Sequence, residues 1–123
     1  ETVLVVDDEP PVARFAQRIL GAAGYTVLSA GHAGEALVVC EKYSGPIHLV
    51  LTDVIMPQMS GRELADRLAT VRPDMRVLYM SGYTDDILND NAAFGADRQL
   101  VRKPFTADHL LRKVRDILDH PTP

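Results

Sequence analysis

The chain has 123 residues, 13 Lys plus Arg against 17 Asp plus Glu, and a formal charge of -4 at pH 7, a size that closes one hydrophobic core without disulfide or metal staples. Its basic residues are scattered, which argues against direct nucleic-acid binding, and its lone Cys40 can form no internal disulfide. No apolar run approaches the roughly 20 residues of a membrane-spanning helix, and no signal-peptide pattern follows Glu1, so a cytoplasmic single domain over 1–123, cut from a longer chain, is expected.

The first apolar run, Thr2 to Val6, is followed by Val12, Phe15, Ala16, Ile19, Leu20 and Ala23 at three- and four-residue spacing. This spacing predicts a helix that starts near Pro10-Pro11 and ends before Gly24. A second run, Tyr25 to Ser29, precedes a helix from Ala33 to Lys42, whose apolar face carries Ala33, Ala36, Leu37 and a buried Cys40; Gly45-Pro46 follows it. Next come the run Ile47 to Thr52, a helix Arg62 to Val71 closed by Pro73, and the run Arg76 to Met80. Thr84 to Phe94 has only Ile87, Leu88 and Ala92 among Asp and Asn residues, a marginal helix. The run Gln99 to Arg102 and a helix from Ala107 to Leu118, with Thr106 as N-cap, complete the series. Runs apolar on both faces suit strands buried in a parallel sheet, so the expected fold is α/β and doubly wound, with helices on both faces.

In such sheets the functional crevice lies beyond the carboxyl ends of the strands. Here the runs close in polar residues: the first in Asp7-Asp8, the third in Asp53, the fourth in Ser81 and the fifth in Lys103. Converging at one edge, three carboxylates repel, and two neutralisers are available: Lys103 and a bound divalent cation. Magnesium (Mg2+) suits oxygen ligands and commonly bridges carboxylate to phosphate. A carboxylate such as Asp53, ionised at neutral pH, can attack phosphorus and become an acyl phosphate, with Lys103 and the Ser81 hydroxyl holding phosphoryl oxygens.

The segments Val5-Val6-Asp7-Asp8-Glu9-Pro10, Leu51-Thr52-Asp53-Val54-Ile55-Met56-Pro57-Gln58-Met59-Ser60-Gly61, Met80-Ser81-Gly82-Tyr83 and Arg102-Lys103-Pro104-Phe105 resemble the response-regulator receiver (CheY-like) family across the whole chain. The resemblance implies a flavodoxin-like, five-stranded parallel sheet in order 2-1-3-4-5. It implies Asp53 as phosphoacceptor, Asp8, Asp53 and the Ile55 backbone carbonyl as magnesium ligands with Asp7 acting through water, and Ser81 and Lys103 as phosphoryl contacts. It also implies a cis Lys103-Pro104 bond. The implied function is that of a phosphorelay receiver, catalysing only its own phosphorylation and dephosphorylation. The implied partner is a histidine kinase or a histidine phosphotransfer domain, with output or kinase domains in the parent chain. Val77 to Asp86 and Lys103 to Arg115 look most like receivers attached to hybrid sensor histidine kinases, which would make the chain the cytoplasmic part of a membrane-bound sensor kinase.

The family usually carries Tyr or Phe three residues before the lysine, where this chain has Leu100, so the usual aromatic switch is in doubt. Taken singly, Asp7-Asp8 reads as a solvated turn, Ser81-Gly82 as a turn and Lys103 as a surface charge; the set carries the assignment. His32, His48, His109 and His120 show no metal-ligand spacing. Two rivals are a receiver fold that signals without phosphorylation and an aspartyl-phosphate phosphatase. The second generally needs another aspartate two residues after the nucleophile, where Ile55 stands. A flavin-binding flavodoxin-like protein is disfavoured by the acidic loop after the first strand.

Overall fold

The five apolar runs pair as strands of one parallel sheet: β1 (Thr2–Val6), β2 (Thr26–Ala30), β3 (Leu49–Asp53), β4 (Arg76–Ser81) and β5 (Leu100–Arg102). Their order is β2-β1-β3-β4-β5, as the resemblance implied. The computed structural model describes residues 1–54, 59–81, 100–103 and 105–119. Expectations for the Thr84 to Phe94 helix, the Ile55 carbonyl and the Lys103-Pro104 bond lie outside those residues.

Four helices are present among the described residues: α1 (Pro10–Ala22), α2 (Ala33–Lys42), α3 (Gly61–Val71) and α4 (Ala107–Asp119). Their ends follow from local chemistry. Gly24 adopts φ 100°, a conformation that costs glycine little, and closes α1 with two bonds: Gly24 N–H to the Gly21 carbonyl and Tyr25 N–H to the Leu20 carbonyl, each 3.1 Å. His32 caps α2 by accepting the Glu35 N–H on Nδ1 at 3.2 Å, a role its type did not advertise. Ser60 caps α3 by accepting the Glu63 N–H on its hydroxyl oxygen at 3.1 Å, and the same hydroxyl donates to Glu63 Oε1 at 3.4 Å. Thr106 caps α4 through the His109 N–H, as expected. The Arg72 guanidinium, just past α3, donates to the carbonyls of Cys40, Tyr43 and Gly45 and so ties the end of α2 to the end of α3.

Strand residues alternate between two cores. Val3, Val5, Leu51 and Met80 pack with Ala16 and Leu20 of α1 and with Leu110 and Val114 of α4. Leu4, Val6 and Val50 pack on the other face with Ala36 and Cys40 of α2 and with Leu64 and Leu68 of α3. All five residues of β1 and of β3 are buried, which is why those runs lack polar alternation. Among the described residues no helix is long and apolar enough to cross a membrane.

Candidate functional site

The ladder continues past the strand ends and fixes the backbone that carries the polar side chains. Asp7 N–H donates to the Ala30 carbonyl at 3.2 Å, Val54 N–H to the Met80 carbonyl at 3.0 Å, and Lys103 N–H to the Ser81 carbonyl at 2.7 Å. Asp53 closes β3 opposite Met80, and Ser81 closes β4 one residue further on; both are buried. Four adjacent strands, β1, β3, β4 and β5, therefore deliver the polar residues at their carboxyl ends to one edge of the sheet.

At that edge one carboxylate oxygen from each of Asp7, Asp8 and Asp53 lies within 4.8 Å of the others. Lys103 Nζ sits against this group, 3.1 Å from Asp53 Oδ2 and 3.3 Å from Asp7 Oδ2. Burial opposes the ammonium charge, but Asp53 and Asp7, with hydrogen bonds to Asp53 and Glu9, outweigh it and hold Lys103 well above the ordinary lysine range. Lys103 is therefore charged throughout the neutral range.

Asp7 carries the opposite balance. Burial pushes its carboxyl up, and the Glu9 N–H at 2.8 Å on Oδ1, together with Lys103, only partly offsets this. Asp7 Oδ2 is buried and accepts no hydrogen bond among the described residues, although it lies close to Nζ in an ion pair. Three clustered carboxylates against the one Lys103 ammonium leave surplus negative charge on buried oxygens, a setting that fits a hard, oxygen-preferring divalent cation. Asp7, Asp8 and Asp53 are the described residues that could hold one.

A raised folded-state value means the native state holds the proton more tightly than the unfolded chain. The stabilising contribution is then full below the ordinary aspartate range and lost as the pH rises through the raised value, so at pH 7 ionised Asp7 is a net cost. Asp7→Asn is expected to raise the Tm of the metal-free protein at pH 7, read by calorimetry. Adding magnesium should stabilise wild type more than the variant.

The structure also brings in two residues whose contribution was not legible from the sequence. Glu9 Oε1 lies 3.2 Å from Lys103 Nζ, a contact across 94 positions. Gly61 opens α3 directly against the end of β3: its N–H donates to the Val54 carbonyl at 2.8 Å, and a Cβ there would fall 2.0 Å from the Asp53 carbonyl oxygen. The sequence placed Gly61 in the shared motif but gave no sign of this backbone approach. Leu100 is buried opposite Tyr79 in the β4–β5 register and clusters with Val54, the residue after Asp53.

The model of the response regulator receiver domain matches residues 3–115. The chain belongs to this family. The receiver chain is 36% identical over 118 residues to the sensor kinase CckA of Brucella abortus (strain 2308), covering 96% of this chain and 12% of that protein. It is 29% identical to the response regulator receiver protein CpdR of the same organism, covering 94% of this chain and 95% of that one. The crystal structure of the receiver domain from the hybrid histidine kinase CckA superposes with a TM-score of 0.78 at 30% identity, covering 96% and 99% of the two chains. As a receiver, the chain is the phosphoacceptor module of a two-component system.

Proposed function

We propose that Asp53 is the residue that accepts the phosphoryl group, in a magnesium-dependent transfer from a phosphohistidine. The observation that carries this reading is the Asp53 carboxylate, buried at the end of β3, grouped with Asp7 and Asp8 and 3.1 Å from Lys103 Nζ. An Asp53 oxygen forms the new O–P bond as the P–N bond to imidazole breaks, and the leaving ring nitrogen takes a proton from solvent. Lys103 holds a phosphoryl oxygen and balances its charge, and the Ser81 hydroxyl at the end of β4 donates to another. Asp7, Asp8, Asp53 and the Ile55 carbonyl would hold magnesium, with Asp7 acting through water; the ion spreads charge over the transferring group. No separate base is required, because the nucleophile is a carboxylate.

The whole chain, 1–123, acts as this one module. Its partner is a histidine kinase or histidine phosphotransfer domain, and its setting is the cytoplasm. Likeness to the CckA receiver supports a parent that is a hybrid kinase.

Incubation with acetyl phosphate and magnesium should give one phosphate adduct per chain by intact mass, and a chelator should abolish it. Continuous phosphate release without a stoichiometric adduct would replace this reading with that of a phosphatase.

A further inference from the structure

Glu9 occupies the N-cap position of α1, yet its side chain makes no capping bond. The reason is local. Pro10 and Pro11 are the first two residues of the helix and have no N–H, and the Val12 N–H is already taken by the Glu9 carbonyl at 3.1 Å. With no helix donor left for it, the carboxylate turns to Lys103 Nζ at 3.2 Å. Its backbone is pinned from both sides, by its own N–H on Asp7 Oδ1 and by Val12 and Ala13 N–H on its carbonyl, so the side chain reaches toward Lys103 from a fixed starting point.

Lys103 is thus held between two sets of carboxylates that differ in access. Asp7 and Asp53 side chains are 0% and 7% exposed, whereas Glu9 is 60% exposed. Glu9 therefore stands on the solvent side of the ammonium, the side from which a phosphodonor must approach. Resting on the phosphoacceptor reading above, we infer that Glu9 is a positioning residue that holds Lys103 in the resting site and must yield it to the incoming phosphoryl group. Its carboxylate occupies the donor that a phosphoryl oxygen later needs, so the contact slows phosphorylation. Because Glu9 is exposed, the contact is weak enough to exchange.

The test compares wild type, Glu9→Gln, Glu9→Asp and Asp53→Asn in stopped-flow phosphorylation by acetyl phosphate at saturating magnesium, with magnesium affinity measured by titration. Removing an ion pair with one exposed partner should speed phosphorylation by about threefold in Glu9→Gln. Glu9→Asp keeps the charge but loses one methylene of reach, and should recover more than half of that gain. Magnesium affinity should stay within about twofold of wild type, since the pair involves no metal ligand. A wild-type rate in Glu9→Gln overturns the inference, as does a Glu9→Asp rate equal to wild type, which would assign the effect to net charge. A loss of magnesium affinity greater than about fivefold would make Glu9 part of the metal site instead. No adduct on the wild type overturns the phosphoacceptor reading and this inference together; an adduct formed equally fast by all but Asp53→Asn overturns the inference alone.

Discussion

Asp53→Asn is expected to abolish phosphate incorporation entirely while leaving a folded protein. The carboxamide has nearly the shape of the carboxylate, so the packing at the end of β3 should survive, but its oxygen is too weak a nucleophile to open a phosphoryl donor. Lys103 would lose its partner at 3.1 Å and keep Asp7 at 3.3 Å and Glu9 at 3.2 Å. Loss of that pair and relief of repulsion among the three carboxylates act in opposite directions, and stability should stay within about 1 kcal/mol of wild type. Intact mass after treatment with acetyl phosphate and magnesium reads the first effect, and a thermal melt reads the second. An unchanged adduct on the variant would move the acceptor away from Asp53.

Gly61→Ala should be the most damaging of the conservative changes at the site. The added methyl carbon would lie 2.0 Å from the Asp53 carbonyl oxygen, 3.0 Å from its carbon and 3.3 Å from Val54 Cα. All three are backbone atoms, and the Val54 N–H is held by the Met80 carbonyl, so the strand cannot swing aside as a side chain could. Either α3 retreats and loses the Gly61–Val54 bond, or β3 moves and carries Asp53 away from Lys103. A cost of about 3 kcal/mol is expected, a fall of roughly 10 °C in Tm, with slower phosphorylation of whatever remains folded. A variant that melts like wild type would show that the close approach is not maintained in solution.

Strands and helices were readable because their signals are local or strictly periodic. Fully buried parallel strands are continuous apolar runs, and α1 announces itself through Phe15, Ala16, Ile19 and Leu20 between a pair of prolines and Gly24. Boundaries moved by one or two residues where pairing across the sheet set them: Asp53, read as the residue following an apolar run, is the last residue of β3. The polar endings were readable for the same reason, since each ends its own run. What was not readable depends on distance in sequence. Glu9 meets Lys103 only because β1 and β5 end at the same edge of one sheet, and Gly61 matters only because the turn after β3 brings α3 back onto its backbone. His32 shows no metal-ligand spacing in the sequence, and nothing in its residue type marks it as the cap of α2, whose Glu35 N–H its Nδ1 accepts.

The alternation along β1 has a further consequence. Val3 and Val5 belong to one core and Leu4 and Val6 to the other, with the hydrogen-bonded sheet as the partition between them. Substitutions in α2 or α3 that adjust one layer should therefore combine additively with substitutions in α1 or α4 that adjust the opposite layer, because among the described residues the two buried layers share no side chain. Such a molecule can vary its helical surfaces one side at a time, under drift or in the laboratory, while the strand ends that carry Asp7, Asp53 and Ser81 stay in place.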